Sequence, residues 1–339
     1  MLNKKSFLNR TLVALGVFVV IVGILALDIF FTNYHTSQNH SWISGRAINS
    51  LIFSVLIFLT VLEMRRALGV ERIPHCFSWI MWAYAIGLGP SYSLFGFTGI
   101  LFFTLIVFSA SVVTAMARNK TESLIYIAFM LVYPGLFMAS LLYINRCAST
   151  QYIPETSPLY NFLEVDVWTH LGGNRVAQLL PYNAIGLAFV FAVSTMTDVF
   201  AYLVGSLFGK HKLCPQISPK KTVEGAVGGL FGGLFGSAVV FFLFDFCHVA
   251  SLDWPFFGKQ FGLSFHNLSP LNLILCYVVI GLLGSLMTQI GDLLASMVKR
   301  YCGIKDYSKI LGEHGGIMDR FDGIMLNAVF VATVYMFII

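Results

Sequence analysis

Nine times along this chain apolar residues dominate over a stretch long enough for a helix to cross a bilayer. The apolar runs lie near 11–31, 47–64, 77–95, 97–116, 123–145, 182–207, 225–246, 271–294 and 322–339. About 20 apolar residues suffice to cross about 30 Å of hydrocarbon. A backbone inside lipid must satisfy its own hydrogen bonds, and a chain with runs of this length does so as helices. The fold class is therefore all-α: a polytopic integral membrane bundle of about nine transmembrane helices. Composition agrees, with 57% of 339 residues hydrophobic and only 11% charged. A soluble protein carries about 25% charged residues. No polar stretch is long enough to fold by itself.

The basic residues set an orientation. With nine spans the loops alternate sides, and 17 of the 21 Lys and Arg residues fall on one of them. Lys4, Lys5, Arg10, Arg65, Arg66, Arg72, Arg118, Lys120, Lys210, Lys212, Lys220, Lys221, Lys299, Arg300, Lys305, Lys309 and Arg320 share that side; Arg46, Arg146, Arg175 and Lys259 take the other. The positive-inside rule puts the rich side, and the N-terminus, in the cytoplasm. The net charge of +5 is thus topology, and no basic run interleaved with aromatics suggests nucleic acid. The opening MLNKKSFLNR is a basic n-region. The run after it is long and lacks a small-residue cleavage site, so it reads as a retained anchor. Six scattered cysteines, with no CxxC, suggest neither a disulfide framework nor a zinc site.

By character the chain divides into a five-span region (1–145), an extracytoplasmic loop (146–181) and a four-span region (182–339) that holds nearly all the concentrated polar chemistry. No internal repeat of the transporter kind is evident. In the seventh run Gly228, Gly232 and Gly236 recur every fourth residue, as do Gly229 and Gly233. This spacing lets helix backbones approach closely. It could serve packing within the chain or between two copies, which leaves a homodimer open. A phosphate loop is excluded, because no Lys-Ser or Lys-Thr follows at the required spacing.

Polar residues inside apolar runs are costly and mark candidate sites. Ser194, Asp198 and Tyr202 lie four apart on one face of the sixth run. The plainer reading is a buried Asp bonded to a neighbouring helix. Asp292, Ser296 and Lys299 share a face of the eighth run that leads to the cytoplasmic boundary. The plainer reading there is a helix end with a snorkelling lysine. Asp319 and Asp322, three apart, project from one turn at the inner end of the last run. Together with Asp292 they give three carboxylates at the membrane boundary, which suit the hard cation Mg²⁺; soft ligands for zinc or copper are lacking. His314-Gly315-Gly316 precedes them as a flexible, anion-facing loop or simply a solvated one. In the loop 209–225, Ser218 is placed to cap a helix with Pro219 at its first position, which puts Lys220 and Lys221 in the first turn. A helix N-terminus with two lysines favours phosphate. Acidic metal ligands and basic phosphate ligands at one boundary are the general arrangement for phosphoryl-type transfer. Burial of half the site in the bilayer suggests a lipid substrate.

The stretch SMVKRYCGIKDYSKILGEHGGIMDRFD, residues 296–322, resembles the signature of phosphatidate cytidylyltransferases, also called CDP-diacylglycerol synthases. Ser296, Lys299-Arg300, Lys305-Asp306, His314-Gly315-Gly316, Asp319-Arg320 and Asp322 stand at that pattern's spacing. Asp198, Gly205, Gly209-Lys210 and SPKKTVEG are similar to a second family segment; the first five spans match only in general character. The resemblance implies an enzyme that joins CTP to phosphatidic acid, giving CDP-diacylglycerol and pyrophosphate with Mg²⁺. It implies Asp292 and Asp319 as metal ligands, with Asp322 a further ligand or its partner. Lys220, Lys221, Lys299, Arg300 and Arg320 would meet the phosphates, and Asp198, Ser218 and His314 would complete the nucleotide pocket. It also implies a second, monovalent cation such as K⁺, and a bacterial inner membrane with the site on its cytoplasmic face. Two departures stand out: the 146–181 loop is longer than in compact members, and Gly312 stands where many have proline.

Three rivals stand beside this reading: a related CTP-using kinase, a transporter, and an enzyme-dead member acting as a scaffold, against which the intact triad of Asp292, Asp319 and Asp322 speaks. A CTP-dependent polyprenol or phytol kinase would release CDP. An anion transporter would place polar residues near mid-bilayer on several spans, whereas here they gather at one face. Acyl-chain preference and CTP against dCTP are not legible.

Overall fold

The computed structural model describes residues 45–146, 168–171, 174–177, 182–244, 270–312 and 315–338, together with Gly23. Its helices are α1 (Gly45–Arg72), α2 (Ser78–Arg118), α3 (Ser123–Met130), α4 (Phe137–Arg146), α5 (Tyr182–Phe208), α6 (Val223–Phe244), α7 (Pro270–Tyr301) and α8 (Met318–Ile338). Two small antiparallel hairpins accompany them: β1 (Trp168–Leu171) with β2 (Asn174–Ala177), and β3 (Lys212–Cys214) with β4 (Ser218–Thr222). The helical bundle expected from the apolar runs is present. Among the described residues, six helical stretches are long and apolar enough to cross a membrane. The run expected at 47–64 is helical as part of α1, and the run at 11–31 lies outside the described residues.

The runs expected at 77–95 and 97–116 are the two legs of α2. Gly96 breaks the helix with φ 66°, a conformation that costs glycine little. The legs return on each other: the rings of Tyr84 and Phe103 stack with centroids 6.2 Å apart. Phe103 also leaves no room for a side chain on Gly87. Downstream, α3 and α4 join through a π-helical turn over Leu131–Leu136 that contains Pro134. A proline withdraws an amide donor from a helix. Here the Tyr84 hydroxyl donates to the Leu131 carbonyl at 2.7 Å, so α2 supports the turn.

Lipid-facing surfaces are apolar, with Trp79, Leu94, Phe102, Phe231 and Phe337 exposed. Inside, helix α6 is packed on two sides through glycine. Gly228, Gly232 and Gly236 lie against Val204, Met196 and Ala192 of α5, while Gly229 and Gly233 lie against Gln289 and Ser285 of α7. Both glycine stripes are therefore filled within the chain. Polar side chains fasten the same helices where apolar attraction between them is weak. Ser285 donates to the Gly229 carbonyl at 2.8 Å, and Asn327 of α8 donates to Ser194 at 2.9 Å and to the Val190 carbonyl at 3.1 Å.

The basic loops meet at one end of this bundle. Arg72 at the end of α1 lies over the Tyr301 ring at 4.7 Å, Tyr126 of α3 shares a 2.8 Å hydroxyl contact with Tyr301, and Arg300 donates to the Ile217 carbonyl at 3.3 Å.

Candidate active site

The segment that carries Lys220 and Lys221 differs from the helix start expected there. Ser218–Thr222 is strand β4, paired with β3 in the register Lys212↔Thr222 and Cys214↔Ser218. A residue before proline is steered away from helical backbone, so Ser218 is extended and does not cap. Thr222 takes that role: its hydroxyl accepts the Gly225 amide at 3.1 Å, and α6 begins at Val223. Glu224 in the first turn then accepts the amides of Lys210 at 3.1 Å and His211 at 3.2 Å, which closes the hairpin onto the helix. Both lysines thus stand on a rigid ribbon.

Between that ribbon, α5 and α7 lies a cavity of about 370 Å³. Asp198, Tyr202, Lys220, Lys221, Gln289 and Asp292 are in its wall. Lys221 forms an ion pair with Asp292. The face read as Ser194-Asp198-Tyr202 is divided by depth: Ser194 is sealed in the bundle against Thr288 at 3.1 Å, whereas Asp198 and Tyr202 reach the cavity.

The other group of charges is built on α8 and the end of α7. Lys299 lies 2.8 Å from Asp319 and 3.8 Å from Asp322, so the two carboxylates do project from one turn. Asp319 is fully engaged: its Oδ1 meets Lys299, and its Oδ2 accepts the amides of Tyr307 at 2.8 Å and Gly316 at 2.9 Å. Among the described residues, Asp322 accepts the Gly323 amide at 2.9 Å and makes a looser contact with Lys299. Asp198, Asp292 and Asp322 lie within electrostatic reach of one another, and Asp198 also feels Lys221 and Arg320. The Tyr307 phenol is pushed well above its ordinary range by burial and by the charges of Asp322 and Asp319. It therefore stays a donor, 3.2 Å from the Ala295 carbonyl.

Seen together, Asp198, Lys220, Lys221 and Asp292 share the cavity, and Lys299, Asp319 and Asp322 form the adjoining cluster. Arg300 braces the hairpin turn, Ser218 begins its second strand, and His314 lies outside the described residues. No group of three or more His, Cys, Asp or Glu among the described residues is arranged to hold a metal by itself. Mg²⁺ does not demand one, since it is held by one or two carboxylates plus waters and substrate phosphates. The all-oxygen donor set of Asp292 and Asp322 fits that mode, whereas both oxygens of Asp319 already have partners.

Two residues were not singled out from the sequence. Tyr133, buried in the π-helical turn, brings its hydroxyl within electrostatic reach of Tyr307, Asp322 and Asp292. Glu63 of α1 is fully buried and accepts the amides of Ile317 and Met318 at the start of α8. A carboxylate near the end of an apolar run was the available signal for Glu63, but two arginines follow it and make it resemble an interfacial residue.

A family model described as the cytidylyltransferase family matches residues 9–338. Phosphatidate cytidylyltransferases from Staphylococcus haemolyticus (strain JCSC1435) and Staphylococcus saprophyticus subsp. saprophyticus are each 40% identical over 139 residues, 41% of this chain. Those matches span less than half, 44%, of the staphylococcal proteins. A phosphatidate cytidylyltransferase from Aquifex aeolicus (strain VF5) is 28% identical over 282 residues, covering 82% of this chain and 80% of that protein.

Proposed function

The chain belongs to the cytidylyltransferase family, and from that premise we propose that it is a phosphatidate cytidylyltransferase acting at the cytoplasmic face of a bacterial inner membrane. The observation that carries the reading is the juxtaposition, across one cavity, of the Lys220-Lys221 ribbon with Asp198 and Asp292. Lysines recognise phosphate as point charges, and a ribbon pinned at both ends loses little entropy when it does so. The orientation is supported by the share of Lys and Arg, 17 of 21, that alternation puts on one side.

In the reaction proposed, a phosphate oxygen of phosphatidic acid bonds to the α-phosphorus of CTP. The bond from that phosphorus to the bridging oxygen breaks, pyrophosphate leaves and CDP-diacylglycerol remains. Lys220 and Lys221 bind triphosphate oxygens as the nucleotide enters, which draws Lys221 away from Asp292. That releases Asp292, which with Asp322 would hold Mg²⁺, and the ion would neutralise charge developing on the phosphate oxygens. Lys299 faces Asp319 and Asp322 and keeps that turn compact while the charges change. Exposed Tyr202 and Leu203 beside the cavity offer an apolar approach for lipid chains.

The test uses purified protein in detergent with phosphatidic acid, Mg²⁺ and CTP radiolabelled at the α-phosphate. Label is expected in the lipid phase, with pyrophosphate released. CDP released in step with a phosphorylated alcohol would instead make the chain a lipid kinase and overturn the proposal.

A further inference from the structure

We infer that Glu63 is a positioning residue for the acidic turn of α8, so that a helix of the N-terminal region completes the active site. This rests on the reading of Asp292, Asp319 and Asp322 as the acidic part of that site.

Glu63 has no exposed surface. Its Oε1 accepts the Ser308 hydroxyl at 2.5 Å and the Ile317 amide at 3.0 Å; its Oε2 accepts the Met318 amide at 2.8 Å. The first amides of a helix have no partner within it. A cap is normally supplied by the residue just before the helix, but that residue, Ile317, has an apolar side chain, and Gly315 and Gly316 before it have none. Glu63 supplies it from a helix 255 positions away in sequence. Its negative charge also complements the helix N-terminus.

The glycines make sense as the other half of this contact. A Cβ on Gly316 would sit 2.6 Å from both Glu63 oxygens, and Gly315 adopts φ +80°. Gly316 in turn donates its amide to Asp319, which also holds Lys299 and the Tyr307 amide. One carboxylate from α1 therefore fixes the residues immediately before Asp319, and with them the direction in which Asp319 and Asp322 point. A displacement of about 1 Å in such a group can cost about a hundredfold in rate. That sensitivity separates positioning from mere stabilisation.

The experiment compares wild type, Glu63→Gln and the milder Ser308→Ala as full-length protein in detergent. Glutamine keeps the size and one acceptor but turns an NH₂ toward the Met318 amide. Glu63→Gln is expected to melt cooperatively and to lose about tenfold or more in kcat. Its KM for CTP should stay within about twofold, the signature of lost transition-state alignment without lost binding. Amide exchange at Ile317 and Met318 should rise, and Ser308→Ala should move every readout the same way by less. A folded Glu63→Gln with wild-type kcat overturns the inference, as does a loss of activity that only follows the loss of folded protein. Unchanged exchange at Ile317 and Met318 also overturns it. Absence of cytidylyl transfer by wild type would refute the proposed reaction instead, and the exchange comparison would still decide whether Glu63 holds the turn.

Discussion

Asp292 and Asp319 are the same functional group in different company. Asp292 has a lysine partner, Lys221, that stands on the cavity wall with it; both oxygens of Asp319 are committed to the fold. Asp292→Asn should therefore remain folded with an unchanged melting temperature and lose turnover by about a hundredfold or more, as expected when charge stabilisation in a closed site is removed. Asp319→Asn should lose turnover and stability together. Removing one partner of a well-buried pair costs about 3 kcal/mol, which a melting curve reads directly. Equal stability in the two variants would contradict the division of roles. At Gly316 the prediction is steric: Gly316→Ala should reproduce the kinetic loss of Glu63→Gln, because its methyl group meets the same carboxylate. These contacts were only partly legible in sequence. The spacing of Asp319 and Asp322 announces a shared helical turn. The separate commitments of their oxygens depend on Lys299, Tyr307 and Gly316, which meet Asp319 only in the folded chain.

At the scale of elements, the hairpin and α6 show where local signals compete. Ser218-Pro219 has the form of a helix start, yet the helix begins after Thr222. Val223 donates its amide to the His211 carbonyl at 2.9 Å, and cross-strand pairing extends the chain through Ser218–Thr222. Local preference alone could not choose, because the deciding partners, His211 and Lys212, are about ten positions upstream and pair only across the turn. Thr222→Ala should cost about 1 kcal/mol of stability while Ser218→Ala costs much less, the usual effect of losing an N-cap. Chemical denaturation of the two variants checks this. For α6, the fourfold glycine spacing was a reliable sign of close packing. Its two partners, α5 and α7, come from the tertiary structure. Gly233→Leu should prevent α6 from seating on α7, seen as loss of a monodisperse folded species on size exclusion.

At the scale of the molecule, amino-acid pattern alone determined that the chain is a bundle of membrane-spanning helices whose charges gather at one boundary. It did so because lipid demands long apolar runs and internally satisfied backbone. Both demands are written in consecutive residues. The break of α2 at Gly96 lay between two runs and was visible as a short connection. Only the tertiary structure decided which boundary charges share a cavity, that Lys221 faces Asp292, and that Glu63 caps the helix carrying Asp319 and Asp322. Those pairings join segments far apart in the chain. A hydrogen-bond acceptor acts through a gap of about 3 Å, so its partner is chosen by the packing of whole helices.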